Sequence, residues 1–274
     1  MYFYKFRNVD TNSIISLSNS TLWLSDLISF NDPFEGTYIL NDEFTESVIE
    51  FCKGYVTLKP VDKETQSNIL NGLRIKKGAD KVEIIKALIK KDFHIMLEHI
   101  QKSKVLCLSE GSDDYNNSPI TNNLMWSHYA NGLRGFCLEF DAISLQEDLN
   151  ESTKKTMATF KIKYQKKPQI LNLSDFANSS QIFHVDENDY INNVISTIST
   201  KSIDWEYENE VRIISLSDKN LHKYKPSSLV SIIIGEKMPL DKREALITLI
   251  KVTNPNIFIK EARLIKDSYS IEIV

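Results

Sequence analysis

Apolar positions recur with a period of two near both ends of the chain and with a helical period in one long early block. Tyr2 to Arg7 alternates aromatic and basic residues, and Thr21-Leu22-Trp23-Leu24-Ser25 follows; both have strand spacing. Asp10 to Ser20, between them, is polar and turn-like. Residues 43–102 read as mostly helical. The clearest part is Ala79 to Lys102, where Val82, Ile85, Leu88, Ile89, Phe93, Met96, Leu97 and Ile100 form a stripe. Lys104 to Ser109 is a compact apolar strand, residues 111–123 are a polar loop, and Leu124 to Ala130 is a short helix stopped near Asn131-Gly132. Further strands are expected at Gly135–Asp141, Phe160–Tyr164, Leu229–Ile234, Ile257–Ile259, Ala262–Ile265 and Ile271–Val274, with helices at Asp189–Lys201 and Pro239–Val252. Strands crowd both ends without regular alternation with helices, which predicts an α+β fold. No repeat and no linker interrupts the pattern, so a single domain over 1–274 is expected, with a helical insertion at about 43–102.

Composition narrows the classes. A hydrophobic share of 42% in 274 residues supports a sizeable core, and 26% charged residues is ordinary for a globular protein. A net charge of -4 supplies no global basic field for nucleic acid. The three cysteines, Cys52, Cys107 and Cys137, lack paired spacing, and the last two sit in apolar strand-like runs, which points to reduced thiols and a cytoplasmic setting. The first residues form no signal peptide, and no apolar run approaches a membrane span.

The chemistry concentrates in Trp205-Glu206-Tyr207-Glu208-Asn209-Glu210-Val211-Arg212-Ile213-Ile214. Read as a strand, this places Glu208, Glu210 and Arg212 on one face, with the carboxylates about 6.5–7 Å apart. Two readings are open: a charged edge face on which Arg212 neutralises the pair, or a working site. His128 lies between Trp126 and Tyr129 on a short helix, where an aromatic wall with one polar ring suits a flat ligand; packing of that helix into the core would serve as well. Arg7 closes the first strand, where an arginine is either an ordinary surface residue or a fork for a diphosphate, and Ser109 closes the apolar one, where a polar residue often faces a cleft. No phosphate-binding glycine loop or zinc motif occurs, and nothing near Cys107 or Cys137 in sequence activates a thiol.

Several blocks, taken in order, resemble the bacterial domain-of-unknown-function family 2971 (DUF2971). They are Tyr4-Lys5-Phe6-Arg7, Leu22-Trp23-Leu24-Ser25, Phe30-Asn31-Asp32-Pro33-Phe34-Glu35, Leu106-Cys107-Leu108-Ser109-Glu110, Met125-Trp126-Ser127-His128-Tyr129-Ala130, Gly135 to Asp141, and Trp205-x-x-Glu208-x-Glu210-x-Arg212. That resemblance makes Asn31, Asp32 and Glu35 further candidates for binding, and it associates the chain with bacterial defence or toxin effectors. A more distant similarity is to ADP-ribosyltransferases of the arginine–serine–glutamate type. It implies split, mostly antiparallel sheets and NAD as substrate, with no metal. Arg7 would hold the diphosphate or ribose and Ser109 would position the nicotinamide-side strand. Glu210 would stabilise the oxocarbenium ion, Glu208 would orient or deprotonate the acceptor, and Tyr129 or Trp126 would stack on nicotinamide. The acceptor would be protein or nucleic acid. The serine strand, Leu108-Ser109-Glu110, departs from the Ser-Thr-Ser of that class.

Two other functions fit the same residues. Asp32, Glu35, Glu110, Glu139, Glu208 and Glu210 would converge on a divalent cation in a nuclease or phosphoesterase, with Lys161 to Lys167 touching a nucleic-acid backbone. A non-enzymatic sensor or adaptor would use the same polar strand faces to hold a ligand or partner.

Overall fold

The computed structural model describes residues 1–43, 64, 67, 71, 79–111, 118–153, 157–173, 195, 198–215, 217 and 219–274. The strands, in chain order, are β1 (Tyr2–Arg7), β2 (Thr21–Trp23), β3 (Ser25–Asp26), β4 (Tyr38–Asn41), β5 (Lys104–Gly111), β6 (Phe136–Asp141), β7 (Ala158–Lys161) and β8 (Lys163–Gln165). They continue as β9 (Gln169–Asn172), β10 (Thr200–Ser202), β11 (Glu210–Ser215), β12 (Leu221–Lys223), β13 (Leu229–Gly235), β14 (Phe258–Leu264) and β15 (Ile271–Ile273). The helices are α1 (Thr11–Ser18), α2 (Ala79–Gln101), α3 (Asn123–Tyr129), α4 (Ala142–Thr153) and α5 (Leu240–Thr253). Helices and mixed sheets are combined as the α+β reading expects. The chain divides into two compact units: residues 1–30, 103–164 and 202–274, and residues 31–102 and 165–201.

The first unit is built on a nine-stranded sheet in the order β15-β14-β13-β6-β1-β5-β11-β7, with β3 added to β5. Its neighbours are antiparallel except β13 and β14, which run parallel and are joined through α5. Central strands are buried on both faces, which is why β13 (Leu-Val-Ser-Ile-Ile-Ile-Gly) reads as a nearly continuous apolar run; β11 (Glu-Val-Arg-Ile-Ile-Ser) is equally buried but carries the paired Glu210 and Arg212. One face packs Phe3, Leu106, Leu108, Phe136, Leu138, Phe140, Val211 and Ile213 against Leu17 of α1, Leu145 and Leu149 of α4, and Leu246 and Ile250 of α5. The other face packs Tyr4, Phe6, Cys137 and Ile233 under Met125 and Trp126 of α3. Gly111, at the end of β5, leaves room for the Tyr4 ring that a Cβ would strike.

The sheet forks. β1 pairs with β6 at all six of its residues but with β5 only at Tyr2, Phe3 and Tyr4. Beyond Ser109, that edge of β5 takes β3 instead, with Ser25 and Asp26 opposite Val105 and Lys104. A fork leaves backbone groups without ladder partners, and such groups need another. The Lys5 ammonium fills one vacancy by donating to the Cys107 carbonyl at 2.6 Å.

In the second unit, β4 and β9 pair in parallel, Tyr38 opposite Gln169 through Asn41 opposite Asn172. The last pair also joins side chains, with the Asn41 amide donating to Asn172 at 3.0 Å. On α2, Ile89, Phe93, Met96 and Leu97 are buried, and Phe93 meets Tyr38 edge-to-face.

Several local expectations need correcting. Residues 10–20 are not a turn: Asp10 accepts from the Ser13 amide at 2.8 Å and caps α1, whose Leu17 is buried. α4 follows β6 directly, with Asp141 accepting from the Ser144 amide at its start. The strand expected at Phe160–Tyr164 is two strands, β7 and β8, and those expected at Ile257–Ile259 and Ala262–Ile265 are one, β14. The helix expected at 189–201 falls mostly outside the described residues, and Thr200–Ser202 is a strand. Most of the helical block at 43–102 also lies outside them, α2 apart.

Candidate active site

The carboxylate stretch is a turn followed by a strand. Ile203–Glu208 forms a 3-10 helix whose entry is capped by the Ser202 side chain, and Asn209 then adopts a left-handed conformation, φ 43° and ψ 51°. Asparagine tolerates that region better than most residues. Asn209 also ties the turn to β5: its carbonyl accepts from the Glu110 amide at 2.9 Å, and its side-chain amide donates to the Glu110 carbonyl at 2.6 Å. The strand begins only at Glu210. The common face expected for Glu208, Glu210 and Arg212 is therefore corrected: Glu210 and Arg212 share a strand face, and the left-handed residue sets Glu208 apart from them.

Both carboxylates are buried and bonded. Arg212, which has no solvent exposure, donates from Nε to Glu210 Oε1 at 2.7 Å and from Nη2 to Oε2 at 3.3 Å. The Phe30 ring lies 5.2 Å from its guanidinium. The Glu210 amide donates to the Tyr164 hydroxyl at 2.7 Å. Glu208 accepts from the Tyr129 hydroxyl on α3. Burial pushes the Tyr129 phenol above its ordinary range, and the bond to Glu208 adds to the effect. Burial likewise pushes up the Tyr164 phenol and the Cys107 thiol, which keeps both protonated at neutral pH.

Ser109 stands directly opposite Glu210 on the β5–β11 ladder and opposite Tyr4 on the β1–β5 ladder. Residues so paired point to one face, so Ser109 and Glu210 meet there. Arg7 does not join them. It lies three residues beyond Tyr4 on β1, and by alternation on the opposite face, with Asp10 and Tyr224 as its charged and phenolic neighbours. The cation at the fork is Lys5, which by alternation shares the face of Arg7 but reaches the fork through its bond to the Cys107 backbone carbonyl. Burial, and then the charge of Arg7, lower its pKa to about 8, while Cys107, Glu210 and Glu208 act in the opposite direction.

The aromatic cluster separates. Trp126 is not part of a ligand wall: it is a core residue, edge-on to Phe6, with its indole N–H donating to the Ile120 carbonyl at 2.6 Å. His128 faces outward and shares a 2.8 Å hydrogen bond with the Tyr207 hydroxyl. Trp205, Tyr207, His128 and Tyr129 form a chain of rings with centroids 5.8–6.3 Å apart. An aromatic residue at every second position of Trp205-Glu206-Tyr207 was the signal for the first two rings. Beside them opens a cleft of about 560 Å³ lined by Ser118, Pro119, Thr121, Asn122, Asn123, Glu206, Tyr207 and Asn209. That volume is in the range of small-molecule sites.

Asn31, Asp32 and Glu35 belong to the second unit. There Asp32 is buried and shapes its turn by accepting from the Phe34 amide at 2.9 Å. Within the first unit, Glu139 accepts from Tyr4, Ser231 and Lys260, and Glu110 pairs with Lys161. Among the described residues no three metal-ligating side chains converge, and no helix is long and apolar enough to cross a membrane.

Comparison with curated proteins and with solved structures returned no match. The family described as "Protein of unknown function (DUF2971)" has a model that matches residues 125–213, so the resemblance drawn from the sequence blocks holds over the segment that carries Tyr129, Glu208, Glu210 and Arg212.

Proposed function

We propose that the protein cleaves the nicotinamide–ribose bond of NAD and passes the ADP-ribosyl group to water or to an acceptor. The observation that carries this reading is the pairing of Ser109 with Glu210 at the fork of the sheet, with Glu208 one left-handed residue away. Glu210 is matched by Arg212 and holds the start of β11 in place. The reactive carboxylate is Glu208, oriented by the Tyr129 hydroxyl. As the C–N bond breaks, nicotinamide leaves neutral with the bonding electron pair, and positive charge develops on the ribose. Glu208 faces that charge and takes the proton of the attacking hydroxyl as the C–O bond forms. The fork supplies Lys5 as the cation for the diphosphate.

The test is incubation of the full chain with NAD and detection of nicotinamide by mass spectrometry. Release is expected, and Glu208→Gln, which keeps the size and the acceptor for Tyr129, is expected to lower it at least about 100-fold. Absence of release, together with absence of ADP-ribosylated protein or nucleic acid in a lysate, would overturn the proposal.

A further inference from the structure

We infer that the cleft between the Ser118–Asn123 segment and the Glu206–Asn209 turn is a subsite for a neutral sugar, which makes a sugar hydroxyl the acceptor. The lining is polar but lacks positive charge. Of the described residues that line it, none is Lys, Arg or His, and Glu206 adds a carboxylate. An anionic ligand would meet no cation in this lining and would face the Glu206 carboxylate. What the cleft presents is mixed hydrogen-bonding capacity: carboxamides that each hold one internal bond, Asn122 accepting from the Leu124 amide, Asn123 donating to the Tyr269 carbonyl and Asn209 donating to the Glu110 carbonyl, and the hydroxyls of Ser118 and of Thr121, which donates to the Ser118 carbonyl. Vicinal hydroxyls of a sugar have the same dual capacity.

Two further observations point to a ligand. Ser118 is only 2% exposed, and its hydroxyl makes no hydrogen bond of ordinary geometry, its one weak contact being with the Tyr4 phenol, which itself donates to Glu139. A buried hydroxyl left unmatched costs free energy that a ligand hydroxyl would recover. The second is the aromatic shelf. Tyr207 lines the cleft, Trp205 is tilted 37° to it at 6.1 Å, and His128 fixes the Tyr207 hydroxyl. Aromatic faces beside hydrogen-bonding groups suit a sugar, which has an apolar C–H face and a polar rim.

The choice of acceptor rests on the transfer reading of Glu208, but binding of the sugar does not. Asn209 lines the cleft and connects Glu208 to Glu210, so a sugar there is next to the carboxylate that would take its proton. In the transfer, the sugar O–H gives its proton to Glu208, its oxygen bonds the ribose carbon, and nicotinamide leaves with the electrons of the broken C–N bond.

The experiment is a titration of the full chain with neutral methyl glycosides and short neutral glycans, followed by calorimetry and tryptophan fluorescence, with adenosine and tetramethylammonium as competing probes. A neutral glycan is expected to bind, with affinity falling about tenfold in Ser118→Ala and at least as much in Trp205→Ala, while both variants keep the wild-type melting temperature within a few degrees. Ser118→Ala is a minimal change, so its loss of affinity is not a folding defect. Binding of adenosine or tetramethylammonium at this shelf, with no neutral glycan bound, would overturn the inference. Sugar binding without nicotinamide release would sink the transferase reading alone. Nicotinamide release with no glycan bound would sink the sugar subsite alone.

Discussion

The guanidinium of Arg212 grips the carboxylate of Glu210 by two hydrogen bonds, 2.7 and 3.3 Å, in a place where the arginine has no solvent exposure. A buried pair of this kind is balanced between desolvation and attraction, and it becomes costly when one partner is removed. Arg212→Met is therefore expected to lower stability by about 3–5 kcal/mol. The double variant with Glu210→Met should recover most of that loss, since two packed apolar side chains leave no stranded charge. Urea denaturation of the two variants and the wild type measures both. Equal losses in the single and double variants would mean that packing around Phe30, and not charge pairing, dominates.

Tyr129 is the donor to Glu208. Tyr129→Phe keeps the ring and removes the hydroxyl, leaving a buried carboxylate with one donor fewer. A loss of about 1–3 kcal/mol in thermal unfolding is expected. Nicotinamide release should fall as well, because the reactive carboxylate is no longer held in one orientation. A variant with wild-type stability would show that the phenol bond contributes nothing net.

Lys5 carries a pH signature. Its folded pKa is lowered to about 8 from 10.5 by burial and by the charge of Arg7. Below about pH 8 both states hold the proton, and burial of the charge costs stability. Between about 8 and 10.5 the unfolded chain binds the proton and the folded chain does not, so this residue's contribution rises with pH. Wild type compared with Lys5→Met should therefore gain stability between pH 7.5 and 9.5, by roughly 1–2 kcal/mol after discounting for partial exposure. Parallel denaturation curves for the two proteins at each pH test this. A constant difference would mean that Lys5 titrates as an ordinary surface lysine.

Gly235 ends β13 against the Leu133 backbone, whose carbonyl also accepts from the Lys237 amide at 3.0 Å. A Cβ on residue 235 would fall inside contact distance of that carbonyl. Backbone yields less readily than a side chain, so Gly235→Ala is expected to cost at least about 1–3 kcal/mol. Differential scanning calorimetry would register this as a melting temperature lowered by several degrees.

The strand segments were legible because burial on one or both faces writes itself into local spacing. β1, β5, β6 and β13 lie where apolar periodicity places them, and β11 covers only the apolar end of the stretch read as a strand. α1 was not legible: eight residues with few apolar positions gain their helical state from Leu17 packing and from the Asp10 cap, and only the cap has a sequence signal. At the candidate site, the spacing of Glu208 and Glu210 located the carboxylates but misjudged their relation. A single left-handed residue, Asn209, breaks the alternation, and strand spacing cannot anticipate that.

By itself, the sequence determined the fold class, the position of the central strands and the stretch that holds the buried carboxylates, because hydrophobic periodicity and unusual charge density are local properties. Tertiary structure alone decided the company those carboxylates keep. Ser109 meets Glu210 through strand pairing across about a hundred residues, Tyr129 reaches Glu208 from α3, and Lys5 enters where β5 exchanges β1 for β3. Arg7 and Trp126, both plausible in sequence, were turned away by strand alternation and by core packing. Register and packing depend on which distant segments bury one another, and no local pattern encodes that choice.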